Sequence, residues 1–158
     1  MQRVLISACL LGHKVRYDGG DCRQSSAILL QWQAEGRLIP LCPETAGGLS
    51  TPRLPAEIQP DGRVISVTGE DVSGAFSAGA QQALALCQQH AVRVAILKQG
   101  SPSCGNSLIN DGSFQRHKIA GQGVTAALLR ANGIFVFNED ELDDAYHEIC
   151  RLESSHGQ

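Results

Sequence analysis

The sequence predicts a single-domain three-layer α/β/α fold, Rossmann-like, with a mostly parallel sheet. Three observations predict it. Short apolar runs at residues 4–8, 38–41, 92–97 and 134–137 alternate with segments of helical spacing. The runs are continuously apolar rather than alternating, the pattern of strands covered on both faces. The chain has 158 residues, 42% of them hydrophobic, which suits one continuous core. Aromatics are only 4%, so that core is built from Val, Ile, Leu and Ala.

Each element follows in order. Residues 4–8 form a buried strand that ends at Cys9. Val15-Arg16-Tyr17-Asp18-Gly19-Gly20 is a loop with an Asp-Gly turn signal. Ser25 or Ser26 caps a helix to about Glu35, with Ala27, Leu30 and Trp32 among its apolar positions and Gly36 as its stop. Residues 38–41 are the second strand, where Pro40 calls for an edge or a strand end. Residues 42–61 read as irregular, and their Pro, Gly, Glu and Arg content favours an ordered active-site loop. Asp61-Gly62 turns into a small strand or hairpin arm at 63–67. A helix from Asp71 or Ser73 to about His90 sets Phe76, Ala80, Ala83, Leu84 and Cys87 along one face.

The strand at 92–97 leads into Ser101-Pro102-Ser103-Cys104-Gly105. Asn110-Asp111-Gly112-Ser113 reads as a turn, and His117-Lys118 as a polar connection. Gly121-Gln122-Gly123 precedes a helix at 124–130, closed by Asn132-Gly133, and residues 134–137 form the last strand. Glu139-Asp140-Glu141 opens a final amphipathic helix with acids at its positive end. The domain is expected to span 1–152, followed by a polar, frayed tail at 153–158. No internal repeat or domain linker is visible.

Composition narrows the function. A net charge of −3 leaves no electrostatic footprint for non-specific nucleic-acid binding. The start lacks the long apolar core of a signal peptide, and no run is long enough to span a membrane. The chain is therefore expected to be cytoplasmic, with reduced thiols. Its six cysteines are then metal ligands, nucleophiles or core fillers rather than disulfides. There is no Cys-x-x-Cys pair, no P-loop, no base-deaminase zinc signature and no ligand spacing among the five histidines.

What remains is a site assembled from separate loops. Cys9, Cys42 and Cys104 each follow an apolar run, and ligands bind outside the carboxyl ends of strands in open α/β sheets. Three such thiolates suit a soft metal centre with one open position, either zinc or an iron–sulfur cluster. Cys87 and Cys150 sit in helices and read as structural, whereas Cys22 is ambiguous. Glu44, two residues after Cys42, shares its face in an extended chain and is a candidate proton shuttle or else a solvated loop acid. Ser101 either hydrogen-bonds a substrate or caps its own turn. Arg53, Lys98 and Ser103 are candidate substrate contacts, with solvated surface charge the alternative for the two cations. Gly121-Gln122-Gly123 offers amides to an anion.

Several of these segments resemble the bacterial thiouracil desulfidase (TudS) family. They are Ile6-Ser7-Ala8-Cys9-Leu10-Leu11-Gly12, Val15-Arg16-Tyr17-Asp18-Gly19-Gly20, Cys42-Pro43-Glu44, Gly47-Gly48-Leu49, Pro52-Arg53, Ile96-Leu97-Lys98, Ser101-Pro102-Ser103-Cys104-Gly105 and Gly121-Gln122-Gly123-Val124-Thr125. They run in order over nearly the whole chain. The resemblance implies a [4Fe–4S] cluster held by Cys9, Cys42 and Cys104 with one iron free of protein ligands. It also implies that Glu44 and Ser101 take part in turnover, and that thiouracil-type pyrimidines lose sulfur hydrolytically to give uracil and hydrogen sulfide. Two alternatives stand beside it: a thiouridine substrate, as nucleoside or in RNA, and a non-enzymatic iron–sulfur sensor or carrier.

Overall fold

The computed structural model describes residues 1–12, 17–19 and 26–156. The expectations placed on Val15, Arg16, Gly20, Cys22 and Ser25 lie outside those residues. Strand β1 (Val4–Ser7) passes through a 3-10 turn (Ala8–Leu11) towards helix α1 (Ala27–Ala34), strand β2 (Leu38–Leu41) and short helix α2 (Pro43–Ala46). A hairpin of β3 (Ala56–Ile58) and β4 (Val64–Ser66) precedes the long helix α3 (Ser73–Gln89) and strand β5 (Val94–Ile96). A second hairpin, β6 (Leu108–Asn110) and β7 (Lys118–Ala120), leads to α4 (Val124–Ala131), β8 (Phe135–Phe137) and α5 (Leu142–His156).

The central sheet has the order β2-β1-β5-β8 and every pairing in it is parallel. Successive strand residues point to opposite faces. Val4, Ile6, Val94 and Ile96 therefore pack against Leu29 and Trp32 of α1 and Ala145 and Ile149 of α5. Leu5, Ala95 and Val136 pack against Ala83 and Cys87 of α3 and Ala126 and Leu129 of α4. Two cores on one sheet make the three-layer α/β/α architecture. Pro40 sits opposite Ile6 on the outer strand β2, where a missing N–H costs no interior ladder bond.

Several expectations need correction. Residues 42–61 are not irregular throughout. Pro43 opens α2 at a position that needs no amide hydrogen, and residues 56–58 pair with 64–66. A four-residue helix and a three-residue strand are too short to show a period. The same brevity hid the β6–β7 hairpin, in which Lys118 is a strand residue and Asp111 N–H donates to His117 at 2.9 Å. In α1, Leu29 and Trp32 face inward while Leu30 is 68% exposed. Cys150 is exposed, because its neighbour Ile149 takes the inward position on α5. The supposed tail continues α5 to His156, and Glu153 accepts from the backbone N–H of Gln2 at 2.9 Å. Among the described residues no helix is long and apolar enough to cross a membrane.

Candidate active site

Because β2, β1 and β5 are adjacent and parallel, their carboxyl ends lie along one edge of the sheet. Cys9 occupies the 3-10 turn after β1, Cys42 follows β2 directly as the N-cap of α2, and Cys104 lies in the loop after β5. Ser7 Oγ accepts from the backbone N–H of Lys98 at 3.0 Å, which ties the end of β1 to the end of β5.

The Cys104 loop is held from two sides. Ser101 Oγ accepts from the backbone N–H groups of Ser103 and Cys104 at 3.1 and 3.0 Å, and its carbonyl accepts from Gly105 at 2.9 Å. The first amides of α4 close the other side: Val124 donates to Pro102 at 2.9 Å, Thr125 to Ser103 at 2.9 Å, and Gly123 to Gly105 at 2.7 Å. The helix start expected to offer amides to an anion thus spends them on the loop, which satisfies its orphan donors internally. A Cβ on Gly123 would stand 2.5 Å from the Ser103 carbonyl and 2.8 Å from the Cys104 nitrogen, so only glycine allows this approach. Beyond Gly105, the Asn106 amide donates to Glu141 at 2.8 Å and its side-chain oxygen accepts from Asn138 at 3.1 Å. Arg130 of α4 donates to its carbonyl at 2.5 Å. Asn106 and Arg130 were not singled out from sequence, and Thr125 and Glu141 were read only as part of a motif and of a helix start. They carry no spacing signal, since their partners are distant in the chain.

The Cys42 loop is seated by close packing. The Pro43 carbonyl lies where a side chain on Gly79 of α3 would begin, and Gly47 stands in the same relation to the Ala75 carbonyl. The α2–α3 contact is backbone on backbone. Glu44 lies within α2, so it does not share an extended face with Cys42 as its spacing implied; positions two apart on a helix diverge. It nevertheless lies close enough to Cys104 for its charge to act on that thiol. Arg53 Nε lies 3.4 Å from Glu44 Oε1, with the two side chains 7% and 18% exposed. Arg53 also donates to the Ser50 carbonyl and to Thr51 Oγ1, each at 3.1 Å.

The other expected contacts divide. The Lys98 ammonium is held by the Glu139 carboxylate at 2.8 Å and the Gln99 carbonyl at 2.9 Å. Ser103 is fully buried, and its hydroxyl shares a 2.7 Å hydrogen bond with Thr125. It is a strut of the loop, not a substrate contact. Ser101 does cap its turn, with both of its lone pairs turned to amides.

The electrostatics single out Cys104. Burial pushes its thiol up to about 12; a hydrogen bond with Ser7 lowers it, the Glu44 charge and Cys42 raise it, and Ser103 lowers it again. Without a cation, this thiol stays protonated. Among the described residues no three His, Cys, Asp or Glu side chains gather at the spacing of a single metal ion.

The fold and this edge define a class: an α/β protein that presents three strand-end thiols, one deeply buried, beside an Arg-held carboxylate. Comparison with known proteins places it further. The profile of the 2-thiouracil desulfurase family matches residues 4–141, and the chain belongs to that family. An uncharacterized protein of Bacillus subtilis (strain 168), YbbK, is 39% identical over 150 residues, covering 89% of this chain and 98% of that protein. A solved structure described as the [4Fe-4S]-dependent thiouracil desulfidase TudS is 47% identical, with a TM-score of 0.93 over 95% of this chain and 99% of that one.

Proposed function

We propose that the protein is an iron–sulfur-dependent desulfidase that hydrolyses thiouracil-type thiolated pyrimidines to uracil and hydrogen sulfide. The observation that carries this reading is that a family match over residues 4–141 coincides with thiols at the carboxyl ends of three adjacent strands. In it, Cys9, Cys42 and Cys104 hold a [4Fe–4S] cluster by three irons and leave the fourth to substrate. The donor set fits such a group, because soft thiolates are its usual ligands. A thiol buried beside a carboxylate also needs a cation before it can ionise. When bound, the cluster supplies a thiophilic Lewis acid to the thiocarbonyl sulfur.

The atoms balance without electron transfer: a thiocarbonyl and water become a carbonyl and hydrogen sulfide. The protein's tasks are therefore orientation and proton movement. Glu44 takes a proton from the attacking water and returns it to the departing sulfur. Arg53 acts through Glu44 as a positioning residue, fixing one carboxylate oxygen and leaving the other for water. Ser101, whose lone pairs serve its own loop, acts on the ring as a donor.

The test is direct. Anaerobically reconstituted protein given thiouracil should release sulfide and uracil in equal amounts. Loaded protein that releases neither would overturn the reading. Glu44→Gln should keep its iron and optical spectrum while kcat falls by about 10²–10⁴.

A further inference from the structure

The acids ahead of α5 read from the sequence as partners of the helix dipole, yet two of them are turned toward the cysteine loop. Glu139 Oε1 accepts from the backbone N–H of Gln99 at 2.8 Å, and its Oε2 meets the Lys98 ammonium at 2.8 Å. Glu141 accepts from the Asn106 side chain at 2.8 Å and from the backbone N–H of Asn138 at 3.0 Å. Lys98, Gln99 and Asn106 stand at the two ends of the loop that carries Ser101 and Cys104. The Gln99 side chain stitches the neck of that loop. Its Nε2 donates to Ser107 Oγ at 2.8 Å, and its Oε1 accepts from the N–H groups of Ser107 and Leu108 at 3.3 and 3.1 Å.

From this juxtaposition we propose that Glu139 is a positioning residue for Cys104: it fixes the root of the cysteine loop and so sets where that thiol stands. Its two bonds are unequal. The carboxylate is 8% exposed, and a short bond from a backbone N–H to a buried charge is of the stronger kind. The ammonium is 33% exposed, so solvent screens the ion pair, and Lys98 keeps the Gln99 carbonyl as a second acceptor at 2.9 Å. The Gln99 amide is therefore the anchor. Its neighbour carries the effect onward: the Lys98 N–H is held by Ser7 Oγ, and Ser7 also bonds the Cys104 thiol. Releasing residue 99 thus loosens Cys104 through the loop and through Ser7.

The inference rests on the desulfidase reading only for the role of Cys104 as a cluster ligand. The bonds that carry it are made by protein alone, so its main test uses cluster-free protein. Cys87 is the control within the same molecule. It is as deeply buried but lies at the far end of α3, where its carbonyl accepts from Val92 ahead of β5.

Alkylation with iodoacetamide, resolved by site in a mass spectrometer, tests it. In cluster-free wild type both buried thiols should react slowly. Glu139→Leu should speed Cys104 by about tenfold through local opening and leave Cys87 within about twofold. The loaded variant should lose iron to a chelator about tenfold faster than wild type. Glu139→Gln keeps an acceptor for the Gln99 amide and should return both readouts to within about twofold of wild type. Gln99→Ala, which undoes the neck at a partly exposed position, should speed Cys104 by about threefold and stands in if Glu139→Leu does not fold. Equal acceleration at Cys87 and Cys104 would mark general loosening and overturn the proposal. So would an unchanged Cys104 in either variant, or a Glu139→Gln that behaves as Glu139→Leu. The expected alkylation pattern in a protein that releases no sulfide when loaded would support the positioning role and count against the desulfidase reading alone.

Discussion

The two edges of the central sheet bury similar groups to opposite ends. At the amino edge, Arg37 is held by Glu153 and Glu35, each at 3.0 Å, and donates to the Gln2 carbonyl at 2.6 Å. Nearby Cys87 packs into the apolar core, where burial alone lifts its thiol to about 11. Arg37 there has carboxylate partners of opposite sign, and the Cys87 thiol has no reason to ionise. At the carboxyl edge, Cys104 is as deeply buried but has a carboxylate and a second thiol for neighbours. This edge accumulates potential negative charge, which is the pattern of a site built to receive a cationic group.

Substitution should separate the edges most sharply at the two thiols. Cys104→Ala is expected to abolish iron retention and sulfide release while leaving the far-ultraviolet circular dichroism intact. Cys87→Ala should keep both functions and cost roughly 1 kcal/mol in urea denaturation. Equal iron retention in the two variants would erase the distinction. The Glu44→Gln loss in kcat comes next in size.

A smaller effect is expected at the loop's packing. Gly123→Ala drives a methyl into the backbone of Ser103 and Cys104, and should cost about 1–3 kcal/mol with partial iron loss. Gly74→Ala, where an added methyl meets nothing, is the control and should keep wild-type iron. The smallest effect is at the amino edge. The backbone hydrogen bond from Gln2, and then Arg37, hold the Glu153 carboxyl below its usual value. A carboxyl lowered on folding stabilises above its unfolded pKa, and that stabilisation is lost as pH falls through the lowered folded value. Glu153→Gln should therefore be slightly less stable than wild type at about pH 7, with the difference shrinking as the solution is acidified. Its partial exposure keeps the difference small.

Much of this was legible in the residues. Continuous apolar runs announced the four parallel strands, because burial on both faces demands them. Three cysteines at the ends of those runs were expected at one carboxyl edge, and the adjacent parallel strands β2, β1 and β5 do share that edge. Pro40 announced its own edge strand. The arm β4 was legible from its Asp61-Gly62 turn, but β3, the β6–β7 hairpin and α2 were not, since three or four residues carry no period. Cys150 and Leu30 were misplaced because one position along a helix turns a side chain by nearly a third of a circle.

Sequence alone therefore determined the architecture, since it follows from local patterning and chain order; the three cysteine ligands are what the family resemblance implies. Tertiary structure decided the roles of the polar residues. It turned Ser103 into a strut bonded to Thr125, committed Lys98 to Glu139 and the α4 amides to the cysteine loop, and aimed Arg53 at Glu44. The physical reason is that a hydrogen bond or ion pair depends on which distant group lies within about 3 Å, and only the folded chain settles that distance.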